Sequence, residues 1–256
     1  TLRQLFVHNI IWYGDPDTLL VGDFHPIEAA RAATTVVALP GSLMFAGDKL
    51  GELTPERMRL IQQALPVCDV RPLDLFPVME MKPVWDLKIR RPFAEWDVVS
   101  LFNWRDEERE MGFRFEDLGL PEGAYLLYDF WGGRFLGEHT GEFRATVPAH
   151  ANLLLAVHRA TGRPQFLSTD RHVTQGGTCL KALAWDAEAG VLSGSTELVA
   201  GHASHLTFYL PAGYRFVAAE GAAVQAASVD AAGVLTVTLR SGESGAAEWR
   251  VRTASA

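Results

Sequence analysis

Aromatic and acidic side chains crowd one short segment near the start of the chain, and these residue types suit a sugar. The segment contains Trp12, Tyr13, Asp15 and Asp17, and Asp48 follows an apolar run further along. A carboxylate accepts hydrogen bonds from hydroxyl groups, and an aromatic face stacks on the apolar side of a sugar ring. These five residues are therefore candidate carbohydrate-binding residues. Each also has a purely structural interpretation, because turn aspartates often accept backbone amides and aromatic rings often pack internally.

The elements that would position these residues alternate between strand and helix. Residues 5–12 and 42–46 are short apolar runs that end in turns, which predicts two buried strands. A helix is predicted over residues 26–40, and a second helix begins at Thr54 with proline at its first position. Two strands joined by such a helix pair in parallel, and the candidate residues then follow the carboxyl ends of the strands.

From about Pro92 the pattern changes to short β-type runs separated by turns, with no convincing helix. Strands are predicted over residues 96–103, 124–130, 153–158, 165–168, 206–210 and 234–239. Strands at this spacing are typical of an antiparallel β-sandwich. Residues 71–91, which contain three prolines, are predicted to be an irregular crossing between the two regions.

The order of several motifs resembles that of a known enzyme family. The segment YGDPDTLL at residues 13–20 resembles the Trp-Asn-Asp-Pro-Asp-Met segment that ends strand seven in α-galactosidases, or melibiases, of glycoside hydrolase families 27 and 36. Residues 40–48 take the place of strand eight, and residues 53–57 open the last barrel helix. Three later segments resemble bacterial family-36-like proteins where the barrel passes into the C-terminal sandwich, and these are residues 71–76, 96–104 and 168–176.

This resemblance implies an α/β plus all-β chain. Residues 1–80 would be the last two βα units of a TIM (β/α)8 barrel, strands seven and eight with their helices, and residues 81–256 an antiparallel C-terminal β-sandwich. It also implies retaining hydrolysis of α-linked sugars by two aspartates, one nucleophile and one acid/base. In the family these aspartates end strands four and six, so we expect both upstream of this chain. We therefore expect no catalytic residue here and no activity from the chain alone.

The resemblance also assigns roles to the candidate residues. Asp17 matches the family aspartate that lines the sugar pocket, whereas Asp15 matches the aspartate that holds the turn. Gly14 and Thr18 stand where the family has asparagine and methionine, and these departures bear on galactose specificity. In (β/α)8 enzymes the loops after the strands build the active site, which is where Asp48 is also expected.

Two other functions are open. One is an α-amylase-clan hydrolase, whose last barrel strand also runs Pro-Gly into Gly-Asp, although Lys49 stands where that clan usually has an acidic residue. The other is a non-catalytic carbohydrate-binding or assembly module. Its sugar platform could come from the tryptophans of the second region, which could equally form a core; these are Trp85, Trp96, Trp104 and Trp131.

The composition limits which classes of partner are expected. The net charge of −8 comes without a basic cluster, which argues against nucleic acid and membrane surfaces, and no apolar run reaches the roughly 20 residues of a membrane span. His202 and His205 lack further ligands, so no metal or other cofactor is expected. Cys68 and Cys179 are expected to be free thiols, and the chain is expected to be soluble, with the cytoplasm favoured. The partners expected are a carbohydrate substrate, the missing N-terminal barrel portion or another protein chain, and a second copy in a homo-oligomer, because unclosed parallel strands leave open edges.

Overall fold

The computed structural model of the protein describes residues 2–73 and 81–255. Two compact units are present. The first consists of Thr1–Leu87, Val98–Glu122 and Thr140–Leu155, and the second of Lys88–Asp97, Gly123–His139 and Ala156–Ala256. None of the helices in the described ranges combines the length and the apolar character that crossing a lipid bilayer demands.

Two α-helices lie in the first unit, as predicted. Helix α1 is Ile27–Ala38 and helix α2 is Pro55–Gln63, with 3-10 helices at Leu2–Val7 and Leu50–Glu52. Helix α2 begins at Thr54, whose hydroxyl accepts a 3.4 Å hydrogen bond from the backbone amide of Arg57. The capping and proline signals are confirmed for α2, whereas α1 follows Pro26 without a side-chain cap.

Residues 5–12 do not form the predicted strand. The chain there forms the 3-10 helix Leu2–Val7 and a turn, in which the His8 amide donates to the Leu5 carbonyl at 3.0 Å. A parallel strand needs hydrogen-bonding neighbours, and residues 5–12 have none among the described strands, so their backbone bonds locally. The last two βα units of a barrel are therefore not confirmed.

Residues 42–46 likewise form no regular strand. A single parallel bridge joins Leu19 to Ala46, with the Leu19 amide donating to the Phe45 carbonyl at 2.7 Å and the Gly47 amide donating to the Leu19 carbonyl at 3.0 Å. Leu19 precedes α1 and Ala46 precedes α2. The predicted parallel pairing is thus reduced to one bridge, which begins downstream of the predicted first strand.

The described residues contain 15 strands. In chain order these are β1 Val84–Arg91, β2 Ala94–Phe102, β3 Arg109–Arg114, β4 Ala124–Asp129, β5 Arg134–Thr140, β6 Glu142–Val147, β7 Asn152–Arg159, β8 Gln165–Thr169, β9 Leu180–Asp186, β10 Val191–Leu198, β11 Ala203–Tyr209, β12 Tyr214–Glu220, β13 Val224–Val229, β14 Val234–Arg240 and β15 Gly245–Ser255. A 3-10 helix, Glu116–Leu118, follows β3. The six strands predicted from the sequence are confirmed as β2, β4, β7, β8, β11 and β14.

The strands form four sheets. One has the order β1-β2-β7-β4-β5, two have four strands in the orders β12-β15-β10-β9 and β13-β14-β11-β8, and β3 pairs with β6. The pairings within the two four-stranded sheets and between β3 and β6 are antiparallel. This arrangement is consistent with the predicted β-sandwich.

Residues 71–91 were predicted to be an irregular crossing. This prediction is wrong for residues 84–91, which form β1. This strand is hydrogen-bonded to its neighbour β2 in the five-stranded sheet. Residues 74–80, and with them part of the segment 71–76 and the division proposed at residue 80, lie outside the described residues.

A fully buried tryptophan lies in the core of the second unit. Trp249 on β15 is buried, and its indole N–H donates to the Thr196 hydroxyl at 2.9 Å. Its ring meets Phe208 edge to face, with centroids 5.0 Å apart. Gly194 lies beneath the ring, where a Cβ atom would overlap the indole. The absence of a side chain at Gly194 is what leaves room for Trp249.

A buried polar cluster ties α1 to strands of the first unit. Asn152 on β7 donates to the Thr35 hydroxyl on α1 at 3.2 Å and to the Ser100 hydroxyl on β2 at 2.9 Å. All three residues are buried. A buried side-chain amide without hydrogen-bond partners would lower the free energy of unfolding. Hydrogen bonds as well as apolar packing therefore hold α1 against β2 and β7.

Candidate functional site

The Asp-Pro-Asp segment forms a tight, exposed turn in the first unit. The Asp17 amide donates to the Asp15 carboxylate at 2.8 Å, and Asp17 has a left-handed backbone with φ of 68°. Aspartate tolerates this conformation better than most residues because its side chain bonds locally. Asp15 therefore bonds within the turn, and the Asp17 side chain is exposed.

A buried histidine supports this turn. His8 is 1% exposed, and its Nδ1 accepts a 2.8 Å hydrogen bond from the Gly14 amide. Burial lowers the pKa of His8, which keeps the ring neutral and leaves Nδ1 able to accept. Tyr13 meets the His8 ring edge to face at 5.9 Å. The sequence analysis did not identify His8, because the bond depends on a turn that only the structure shows.

Asp48 has both carboxylate oxygens engaged by backbone amides. One accepts from the Val21 amide at 2.6 Å and the other from the Gly22 amide at 3.2 Å. Whereas Asp48 accepts from the amides of this segment, Arg57 donates to its carbonyls. The Arg57 guanidinium donates to the Val21 and Gly22 carbonyls at 2.5 and 2.7 Å and to the His25 carbonyl at 2.8 Å. Asp48 and Arg57 together fix the chain between the Leu19–Ala46 bridge and α1. Arg57 had no signal in the sequence beyond its place in the first turn of α2.

The aromatic candidates are exposed, with Trp12 at 51% and Tyr13 at 59%. They belong to a larger set of large apolar side chains that are exposed within residues 10–50, which we call the N-terminal apolar set: Ile10, Ile11, Trp12, Tyr13, Leu20, Phe24, Leu43, Phe45 and Leu50. Leu65, Val67 and Leu73 are exposed further along the first unit, whereas in residues 81–255 the exposed large apolar residues are Met81, Val217 and Val229. Concentration of exposed apolar residues in one segment is typical of a surface that another molecule covers.

The structure brings some of the candidates together. The Leu19–Ala46 bridge places the segment after Asp17 beside the loop that carries Asp48, and a Cβ atom on Gly47 would lie 2.9 Å from the Thr18 Cβ. Asp15 and Asp17 share one turn with Tyr13 beside it. The candidate site is thus an open surface of exposed carboxylate and aromatic groups over a loop fixed by Asp48 and Arg57.

Other polar groups have structural partners. Asp170 accepts from the His205 amide at 2.9 Å, and its second oxygen lies 2.8 Å from His205 Nδ1, so it pairs with β11. His172 is buried and accepts from the Thr174 amide at 3.1 Å. Within residues 2–73 and 81–255, no group of three or more His, Cys, Asp or Glu could hold a metal ion.

Neither cysteine is a candidate nucleophile. Cys68 and Cys179 are free thiols. Burial raises the pKa of each to about 12, so both thiols are protonated at neutral pH. A thiol needs a lowered pKa to react readily, and these two have the opposite shift.

The tryptophans divide into core and partly exposed residues. Trp96 is buried and stacks on His158 with ring centroids 5.5 Å apart. Trp85 and Trp104 flank Phe102, with Trp104 stacked on it at 4.6 Å and an interplanar angle of 9°. Trp85 and Trp104 retain some exposure, whereas Phe102 is fully buried.

Comparison with known proteins gives a family for part of the chain. Residues 94–157 match the family model described as the alpha galactosidase C-terminal beta sandwich domain. A search of curated proteins gives no match.

Among solved structures, the chain is similar to alpha-galactosidase I from Mortierella vinacea at 20% identity, with a TM-score of 0.42, covering 59% of this chain and 41% of that one. It is similar to a GH27 β-L-arabinopyranosidase from Geobacillus stearothermophilus at 15% identity, with a TM-score of 0.47 and coverage of 63% and 40%. It is also similar to an alpha-galactosidase from Saccharomyces cerevisiae, solved with raffinose, at 14% identity, with a TM-score of 0.43 and coverage of 58% and 47%. The matched part spans less than half the length of each of these proteins.

The matched segment runs from β2 into β7 and includes Asn152, which binds α1. The expected resemblance to the C-terminal portion of an α-galactosidase is confirmed over residues 94–157, which match the C-terminal β-sandwich domain of these enzymes.

Proposed function

We propose that this chain is the C-terminal part of a retaining α-galactosidase-like glycoside hydrolase and that it acts on α-linked sugars only together with a (β/α)-barrel portion. The family match over residues 94–157 supports the enzyme class. The single observation that carries the need for a barrel portion is the N-terminal apolar set, whose members are exposed near residues 5–12 and 42–46, two segments that belong to none of the described sheets. Burial of such side chains is worth about 25 cal/mol for each Å² removed from water.

The proposal assigns a role to the candidate residues. Asp17, Trp12 and Tyr13 would face the sugar, because their side chains are exposed within one short segment and offer an acceptor and two aromatic faces. Asp15 and Asp48 would hold the loops by the amide contacts already described. The nucleophile and the acid/base would come from the barrel portion.

Activity measurements test the proposal. Hydrolysis of nitrophenyl α-galactoside is measured for this chain alone and for this chain mixed with a barrel portion supplied as a separate polypeptide. We expect cleavage only by the mixture. An assembled complex that cleaves no α-glycoside, or a chain that cleaves substrate by itself, would contradict the proposal.

A variant pair tests the role of Asp17 in the assembled complex. Asp17→Asn removes the charge from the turn, whereas Asp23→Asn makes the same change at a neighbouring exposed residue. If Asp17 binds a sugar hydroxyl, its variant raises KM by about tenfold, the equivalent of one charged hydrogen bond, and the control does not. Equal kinetics for both variants would remove Asp17 from the sugar site.

A second candidate function is a non-catalytic carbohydrate-binding module, favoured by the partly exposed Trp85 and Trp104 on either side of Phe102. Glycan-array binding by the chain alone, abolished by Trp104→Ala, would support it. Light scattering on the same sample distinguishes a chain that covers the N-terminal apolar set with a second copy from one that stays monomeric.

A further inference from the structure

We propose that the second unit contains a binding site for an acidic sugar, meaning a ring that carries hydroxyl groups and a carboxylate. The site is a cavity of about 570 Å³ between the β12–β13 turn and the adjoining parts of β14 and β15. Cavities of this size hold small organic ligands. The proposal is independent of the hydrolase function, since it uses none of the residues discussed for that function.

Four charged residues line the cavity, two glutamates and two arginines, and the arginines are the groups that could bind an anion. Arg240 is the last residue of β14, and Arg250 lies on β15 opposite Glu220 of β12. Neither guanidinium forms a salt bridge or a side-chain hydrogen bond with any residue in the described ranges, whereas Glu220 is bound by Arg252 at 3.3 Å. Arginine binds carboxylates through paired N–H donors, so these two groups are suited to an acidic ligand.

Small residues keep the cavity open. Its lining includes Gly221, Ala222, Ala223, Gly242, Ala246 and Ala247. Gly221 cannot be replaced freely, because a Cβ atom there would lie 2.5 Å from the Glu248 carbonyl oxygen and its φ is 146°. The backbone of the β12–β13 turn therefore approaches β15 closely without a side chain between them.

The acidic residues of the cavity determine what kind of anion fits. Glu248 lines the cavity and forms no salt bridge within the described part of the chain, and Ser241 is also part of the lining. A carboxylate accepts hydrogen bonds from hydroxyl groups but repels a bare anion. A ligand that satisfies both the arginines and Glu248 must offer hydroxyl groups as well as negative charge, which is the chemistry of a uronic acid.

Calorimetric titration of the full chain tests the site with galacturonate as the probe and with galactose and inorganic sulfate as comparisons. We expect galacturonate to bind more tightly than either, because galactose lacks the charge and sulfate lacks the hydroxyl groups. Equal binding of sulfate and galacturonate, equal binding of galactose and galacturonate, or no binding of galacturonate would each overturn the proposal.

Variants locate the binding. Arg240→Gln and Arg250→Gln should each weaken galacturonate by about tenfold to a hundredfold, the range for loss of a charged hydrogen bond. Arg215→Gln, an exposed arginine of β12 outside the cavity lining, is the matched control. Ala222→Trp, at an exposed position, fills the cavity without removing charge and should also abolish binding. Galacturonate binding that survives the two arginine variants and the tryptophan variant would refute the assignment.

Discussion

His158 is buried in its neutral form, and this makes the free energy of unfolding depend on pH by an amount that can be calculated. His158 lies on β7 among aromatic rings, 6% exposed, and its Nε2 is 2.7 Å from the Leu167 carbonyl oxygen. Burial lowers its pKa from 6.5 to about 4, an effect only partly offset by the hydrogen bond to Leu167. The ring is therefore uncharged in the folded protein at neutral pH, with Nε2 as the donor.

The sign of the effect follows from where protons bind. Between pH 6.5 and 4 the unfolded chain binds a proton at His158 and the folded protein does not, so acid favours unfolding. The stabilising contribution is complete above pH 6.5 and is lost as the pH falls toward 4. A shift from 6.5 to about 4 corresponds to about 3 kcal/mol in total, of which about 2 kcal/mol is lost between pH 7.5 and 5.0.

Urea unfolding followed by tryptophan fluorescence measures this quantity at the two pH values. The wild-type protein should lose about 2 kcal/mol more between pH 7.5 and 5.0 than His158→Gln, whose amide can still donate to the Leu167 carbonyl but does not titrate. Other titrating groups are common to both proteins and cancel. The exposed His202→Gln variant should keep the wild-type pH dependence because His158 is intact. If wild type and His158→Gln lose the same free energy, the neutral buried ring is the wrong explanation.

Three further predictions concern packing and association. Asn152→Ala should lower the free energy of unfolding by about 1–3 kcal/mol, since it leaves buried hydroxyl groups without their donor, and urea unfolding would show no change if the cluster were unimportant. Gly194→Ala should cost about 1–3 kcal/mol by forcing Trp249 from its position, and an unchanged near-ultraviolet circular dichroism spectrum and melting temperature would argue otherwise. Phe45→Lys should weaken binding of the barrel portion in a pull-down titration, while Val217→Lys, a similarly exposed apolar residue of the second unit, should not; equal effects would mean that the N-terminal apolar set is not the interface.

The elements that the sequence predicted correctly have local signals. Helix α2 has its capping hydroxyl at Thr54, and β14 alternates buried Val and Leu with half-buried Thr, so neighbours a few residues apart decide each structure. Residues 5–12 lack such a signal. An apolar run is compatible with a buried strand or with a 3-10 turn, and the outcome depends on whether another strand lies beside it.

Several strands were missed because their sequences lack an alternating pattern, although their ladder partners are close in sequence. Strand β9 has the sequence LKALAWD, which has no alternation, and it is held by the ladder to β10. Strand β1 follows prolines and was assigned to an irregular crossing. Tertiary pairing overrides local preference in both cases.

The candidate site shows the same division between local and distant causes. The turn bond from the Asp17 amide to Asp15 joins residues two apart and follows from the Asp-Pro-Asp sequence. The bonds of Asp48 and Arg57 to Val21 and Gly22 join residues that follow α1 to the segment that precedes it, and no spacing rule would have found them. Sequence could therefore identify the exposed carboxylates but not the residues that hold their loop.

The hydrogen bonds of Asn152 have a consequence for how the first unit opens. If α1 separates from β2 and β7, the Asn152 amide and the Thr35 hydroxyl lose their hydrogen bond to each other. The three elements should therefore open as one cooperative unit. In native-state hydrogen exchange, the amides in the middle of α1 should then exchange with the same opening free energy as those of β2 and β7, although the helix lies more than 50 residues before either strand. The sandwich strands of this protein would thus share a single local unfolding equilibrium with a helix that the sequence places in a separate domain.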